Sequence, residues 1–161
     1  MKYRAVATGG TFDHLHSGHL ALLAKSFEVS DHVIIGVTSD ELAAREGKKP
    51  DLSYEQRVGQ LETYLRQRFP SKAFTITRLD DYFNPGIASP EIEAIVVSPE
   101  TAARVTIANK LRAGIGLAPL EVVVVKYVLA EDGRRISSTR IRNGEIDEEG
   151  KIRARDAQRG F

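Results

Sequence analysis

The chain has no cysteine, no tryptophan and a single methionine. Without cysteine there can be no disulfide, no thiolate metal site and no thiol nucleophile; the absence fits a reducing compartment. An excess of either charge is also missing. Twenty-three Lys and Arg face 22 Asp and Glu, leaving a formal net charge of +1. That balance gives no electrostatic case for nucleic acid or an anionic membrane as a partner. Any anion must be held by locally placed donors. Long apolar runs are lacking as well. The opening MKYRAVATGG holds an apolar stretch too short for a signal-peptide core or a membrane span, which predicts a cytoplasmic location. Repeats and low-complexity linkers are absent. The 161 residues, 42% of them apolar and 28% charged, fit one domain with a real core. That domain is expected over residues 1–150, followed by a basic tail from Lys151 to Phe161.

Strand and helix signals alternate along the chain. Tyr3 to Thr8 reads as a strand ending in Gly9-Gly10. A helix follows from His19 to Val29, with Leu20, Leu23, Ala24 and Phe27 on one apolar stripe. His32 to Thr38 is an apolar run suited to a strand buried on both faces. Ser53-Tyr-Glu-Gln56 has capping-box spacing and starts a helix carrying Val58, Leu61 and Leu65. Ala73–Arg78 and Ala94–Val97 read as strands. Ser98-Pro99 opens a helix to about Arg112, stopped by Gly114. Leu120 to Tyr127 reads as a fifth buried strand, and Ser138 to Asn143 as a short helix. Apolar strands alternating with helices predict an α/β fold: a doubly wound, parallel, five-stranded sheet with right-handed crossovers. Ligands of such sheets bind beyond the carboxyl ends of the strands, at the switch point.

The loop leaving the first strand reads Gly9-Gly-Thr-Phe-Asp-His-Leu-His-Ser-Gly-His19. Its glycines permit a sharp turn and close backbone approach to a ligand. Thr11 offers a hydroxyl. His16 and His19 share a face at a helix start, where free N–H groups and the helix dipole favour an anion. Gly18 between them is expected to leave room for a phosphate. A metal pair is the competing reading of the two histidines, but no cysteine or third ligand accompanies them. His14 reads as a solvated loop residue and His32 as a structural one. At the other end of the chain, Ile136-Ser-Ser-Thr-Arg-Ile-Arg142 opens a helix with three hydroxyls. Arg142 lies about one turn along from Ser138, and its fork suits phosphate. Plain capping would also explain the serines.

The GTFDHLHSGH segment resembles the signature loop of the HxGH nucleotidyltransferase superfamily, with His16-Ser17-Gly18-His19 as the motif. Ile136 to Arg142 is similar to the superfamily's ISSTxxR motif. The resemblance extends to phosphopantetheine adenylyltransferases through the basic loop Gly47-Lys-Lys-Pro50 and the following Leu52-Ser-Tyr-Glu-Gln-Arg57. Val97-Ser98-Pro-Glu-Thr101 and Asn143 to Gly150 resemble the archaeal and eukaryotic branch; the arginine-rich stretch of the bacterial enzymes is not present.

The resemblance implies a Rossmann-like nucleotidyltransferase fold and adenylyl transfer from ATP to 4′-phosphopantetheine. His16, His19 and Lys48 (with Lys49 as the fallback) would be catalytic. Gly9, Gly10, Thr11, Phe12 and Arg57 would bind substrate or phosphate. Ser98, Thr101, Ser137, Ser138, Thr139 and Arg142 would bind ATP. Mg²⁺ would enter with ATP, and no protein-held metal is implied. The rivals are transfer to another phosphorylated acceptor such as nicotinamide mononucleotide or FMN, cytidylyl transfer, and a non-catalytic nucleotide-sensing module. Cytidylyltransferases usually carry a GIST-like second motif, whereas Ile136-Ser-Ser-Thr139 here follows Arg134-Arg135.

Overall fold

The computed structural model describes residues 2–81 and 89–153. Of the basic tail expected from Lys151, residues 154–161 therefore lie outside the described residues. Five parallel strands form one sheet: β1 Tyr3–Gly10, β2 Ser30–Thr38, β3 Ala73–Leu79, β4 Ala94–Val97 and β5 Glu121–Val124. Their order is β3-β2-β1-β4-β5. The chain winds outward from β1 in one direction and then from β4 in the other. The switch point between β1 and β4 thus opens a crevice at their carboxyl ends, where the Gly9-Gly10 loop emerges.

Each sheet face has its own core. Along β1 successive side chains alternate faces. Val6 joins Val33, Ile35 and Val37 under Leu23 and Phe27 of helix α1 (Ser17–Val29) and Leu61 and Leu65 of helix α3 (Tyr54–Arg68). Ala7 lies on the other face with Ile95, Val97 and Leu120, beneath Val105 of helix α5 (Val105–Gly114). The capping box of α3 is present. Ser53 Oγ accepts from Gln56 N at 3.3 Å, and Gln56 Oε1 accepts from Ser53 N at 2.9 Å. No helix among the described residues is long and apolar enough to cross a membrane.

Three elements differ from the sequence expectation. The fifth strand stops at Val124, and Val122 and Val124 are 41% and 49% exposed. It is the sheet edge, which an apolar run alone does not reveal. The helix expected over residues 99–112 is two: α4 (Pro99–Ala102) and α5, with the chain turning at Ala103 and Arg104. Helix α2 (Asp40–Arg45) was not expected. Six residues are too few to show a periodic stripe, yet Ser39 Oγ caps it by accepting from Leu42 N at 3.0 Å.

Arg57 departs most from expectation. Read as a phosphate ligand, its side chain is instead fully buried. Nη1 donates to the carbonyls of Thr11 and Thr38 at 2.8 Å each, Nε to that of Leu52, and Nη2 to Asp40 Oδ1 at 2.8 Å. Its donors are engaged by loop carbonyls and one carboxylate, so it ties the ends of β1 and β2 to the start of α3. It supports the phosphate loop from behind. Arg57→Met leaves those buried carbonyls without donors and is expected to destabilise the protein by about 3 kcal/mol; urea unfolding measures the loss.

Candidate active site

Beyond the carboxyl ends of β1 and β4 lies a polar cavity of about 410 Å³. Its walls include Gly9 to Phe12, His16, His19, Lys48, Ser98 and Thr101, together with Ser137, Ser138, Thr139 and Arg142 from the far end of the chain. Every residue expected at the site except Arg57 thus meets there.

The two histidines are fixed by the helix start they occupy. His16 is the N-cap of α1, and its Nδ1 accepts from Gly18 N at 3.0 Å. His19, at the third helical position, returns the favour: its Nδ1 accepts from His16 N at 3.3 Å. This is a capping box made of imidazoles in place of the usual hydroxyl and carboxamide. A ring that accepts at Nδ1 carries its proton on Nε2 when neutral. Each histidine therefore keeps an Nε2–H as its remaining donor for the cavity. The rings stack at 3.9 Å between centroids. Burial, then the charge of Arg135, pulls the His16 pKa down to about 4. Burial, then its neighbour His16, pushes that of His19 well below the ordinary value. Both rings are neutral donors at pH 7.

Gly18 serves this arrangement rather than a phosphate. A Cβ there would stand 2.8 Å from His16 Cε1, so the space expected for a ligand is filled by the His16 ring itself. Phe12 is buried and packs its ring 4.9 Å from that of His19. Its φ of 54° lies in the left-handed region, a conformation costing on the order of 1–3 kcal/mol in a bulky residue. Only the local backbone of Phe12 is left to meet a ligand; the side chain is a wedge behind the histidine.

Asp13 was not singled out from the sequence beyond its place in the motif, yet it joins all the segments. Its side chain is wholly buried. The carboxylate accepts from the backbone N–H groups of Asp51 and Leu52 at 3.0 Å each, and from Arg142 Nη1 at 2.9 Å. Burial alone would raise its pKa, but the two N–H donors and Arg142 outweigh it and hold the group below the usual carboxylate range. The available signal was the Asp after Gly-Thr-Phe, an acidic residue beside an otherwise apolar turn.

The last motif reaches the first directly. Helix α6 (Ser138–Arg142) is capped by Ser137 Oγ, which accepts from Arg140 N. Ser138 Oγ donates to His14 O at 3.5 Å, and Ser17 N donates to Glu148 O at 3.1 Å. The two arginines of the motif divide their work. Arg142 holds Asp13 with one nitrogen and Thr139 Oγ1 with the other at 3.2 Å. Arg140 is buried and turns away to Asp132 and Glu145. Lys48 Nζ lies 3.3 Å from Thr11 Oγ1, which also accepts from Thr38 Oγ1 at 3.2 Å. Lys49 does not line the cavity walls. Ser98 is the N-cap residue of α4 but makes no side-chain cap; its Oγ lies 3.5 Å from Thr101 Oγ1. His14 is not freely solvated: its Nε2 sits 2.7 Å from Asp51 Oδ2. His32, read as structural, bonds Thr75 Oγ1 at 2.8 Å.

Imidazole and hydroxyl donors, backbone amides at two helix starts, a lysine and an arginine thus converge on one cavity. That set suits a polyphosphate. Residues 7–144 match the cytidylyltransferase-like family model, and the chain belongs to that family of nucleotidyltransferases. A phosphopantetheine adenylyltransferase of Methanopyrus kandleri is 43% identical over 91% of this chain and 93% of its own length. Another, of Methanothermobacter thermautotrophicus, is 44% identical over 94% and 90%. The phosphopantetheine adenylyltransferases are therefore the branch of the family to which the chain belongs. Among solved structures, an Archaeoglobus fulgidus protein of unknown function superposes with a TM-score of 0.67 at 29% identity, over 78% of this chain and 89% of its own.

The neutral histidines set a pH dependence. Unfolded, they protonate near the ordinary value of 6.5; folded, they resist until about pH 4 in the case of His16. Between those limits the unfolded state binds more protons, so stability falls as pH falls. Tm is expected to decline from pH 6.5 toward 4. His16→Asn keeps a cap acceptor and should shrink that decline, as scanning fluorimetry across pH would show.

Proposed function

We propose that the cavity carries out transfer of the adenylyl group of ATP to 4′-phosphopantetheine, giving dephospho-coenzyme A and pyrophosphate, a step of coenzyme A biosynthesis. The observation that carries this reading is the closure of two distant motifs on one cavity, Arg142 to Asp13 at 2.9 Å. A phosphate oxygen of the acceptor attacks the α-phosphorus in line, and the bond to the pyrophosphate oxygen breaks. The acceptor phosphate is its own nucleophile, so no protein nucleophile is required. The residues bind two anions side by side and meet the charge that develops between them.

In this reading the Nε2–H groups of His16 and His19 donate to the α- and β-phosphates. As neutral donors they bring no proton that must first be lost. The amides of Gly9 and Gly10, the Thr11 hydroxyl and the backbone at Phe12 hold the acceptor phosphate. Lys48 neutralises the oxygens around the reacting phosphorus. Ser137, Ser138, Thr139 and Arg142 hold the leaving pyrophosphate at the start of α6, and Ser98 and Thr101 line the ATP side. The carboxylates on the cavity wall, Glu46 and Glu100, are ion-paired with Arg104 and Arg135. That supports Mg²⁺ arriving with ATP, held by phosphate and water, where it would offset phosphate charge. We assign the protein to the cytoplasm.

An acceptor panel tests the assignment: 4′-phosphopantetheine, nicotinamide mononucleotide and FMN, each with ATP and with CTP, followed by pyrophosphate release. Turnover is expected with ATP and 4′-phosphopantetheine; preference for another pair would replace this reading. Removing one preorganised donor costs roughly 10²–10³ in rate. His19→Ala is expected to lose at least that in kcat while its circular dichroism stays that of a folded protein.

A further inference from the structure

Beside the phosphate cavity is a second chamber of about 170 Å³, sharing with it Gly9, Gly10, Leu22, Glu46, Lys48, Ser98 and Thr101. It runs across the sheet face that carries Ala7, Ile34 and Ile95, toward β3. Its deeper walls are apolar but for one group. Thr77 Oγ1 lines this chamber, is buried, and among the described residues is the buried side-chain polar atom left without a hydrogen-bond partner. A buried hydroxyl without a partner is costly, and natural structures rarely leave one without reason.

The register shows where that hydroxyl stands. Gly9 is opposite Gly36, and Gly36 is opposite Thr77. Two strand spacings separate Thr77 from the phosphate loop, about 10 Å. Between them the sheet carries no side chain, because both intervening positions are glycine. A Cβ on Gly36 would meet the Leu79 side chain at 2.6 Å, and one on Gly9 would meet Gly36 O at 3.0 Å. The floor between the loop and Thr77 is thus kept bare.

We propose that Thr77 binds an amide of the acceptor's pantetheine arm and thereby selects acceptors that carry that arm. The inference rests on the adenylyl-transfer reading above. An arm anchored by its phosphate at Gly9 to Thr11 enters the chamber at their shared wall. Its methyl and methylene groups lie against Ala7, Ile34 and Ile95, and an amide reaches the one polar group available. Adenine fits worse: its edge offers several donors and acceptors, and the chamber walls would leave all but one unmet.

Steady-state kinetics of the full chain decides it. Thr77→Val keeps the β-branched shape favoured in a strand and removes only the hydroxyl. Its KM for 4′-phosphopantetheine is expected to rise about 5- to 10-fold, the size of one neutral hydrogen bond. The KM for ATP and kcat should stay unchanged. The Tm of the unliganded protein should hold or rise, because an unpaired buried hydroxyl is gone. Thr77→Ser should restore the acceptor KM. An unchanged acceptor KM in folded Thr77→Val overturns the inference. So does a rise in the KM for ATP instead, which would give the chamber to adenosine. A wild-type enzyme silent toward 4′-phosphopantetheine would overturn the functional reading itself, and this one with it.

Discussion

One buried carboxylate holds the site together. Asp13 sits where the phosphate loop, the start of α3 and the final short helix converge, and it accepts a donor from each of the latter two. Isolated, such an ion in the interior would be untenable. Here two backbone amides and a guanidinium satisfy it, and each of those donors belongs to a segment that must be in place for the cavity to exist. The loop supplying the lysine, the helix supplying the hydroxyls and the loop supplying the histidines are therefore coupled through one side chain.

Arg57 is the counterpart on the other side of the same loop. Asp13 gathers amide and guanidinium donors; Arg57 gathers carbonyl acceptors, those of Thr11, Thr38 and Leu52. Between the two groups, the turn through Thr11 and Phe12 is fixed in a conformation that Phe12 would not adopt freely. The strain places the Phe12 ring against His19. Binding residues in front of the loop are thus held by charged residues behind it. The imidazole capping box extends the same logic: the hydrogen bonds that start α1 also decide which nitrogen of each histidine remains for the phosphates. Local structure and candidate chemistry share the same atoms.

Charge balance takes its meaning from this arrangement. With a net charge of only +1, the protein has no broad positive field to draw in a polyphosphate. Its attraction is built from short-range donors in a cavity whose acidic wall residues are already paired. The neutral state of the two histidines belongs to the same design, because donation without a formal charge avoids a cluster of buried cations around Lys48 and Arg142.

The sequence by itself determined much of this. Periodicity located β1 to β4 and α1 and α3, because those elements are long or buried enough for pattern to follow packing. The two motifs marked His16, His19 and Ser137 to Arg142, because phosphate chemistry demands those residue types at those spacings. What escaped were matters of position. The short helix α2 leaves no periodic trace. An apolar strand reads alike at the centre and the edge of a sheet, so the exposure of β5 was invisible. Arg57 looked like a ligand because an arginine beside a basic loop does, and only its burial among carbonyls showed otherwise. The value of Asp13 and the bare path from Gly9 to Thr77 likewise arise only when strands distant in sequence are set in register. Local spacing fixes which groups are present; tertiary contacts decide which of them face the ligand and which hold the others still.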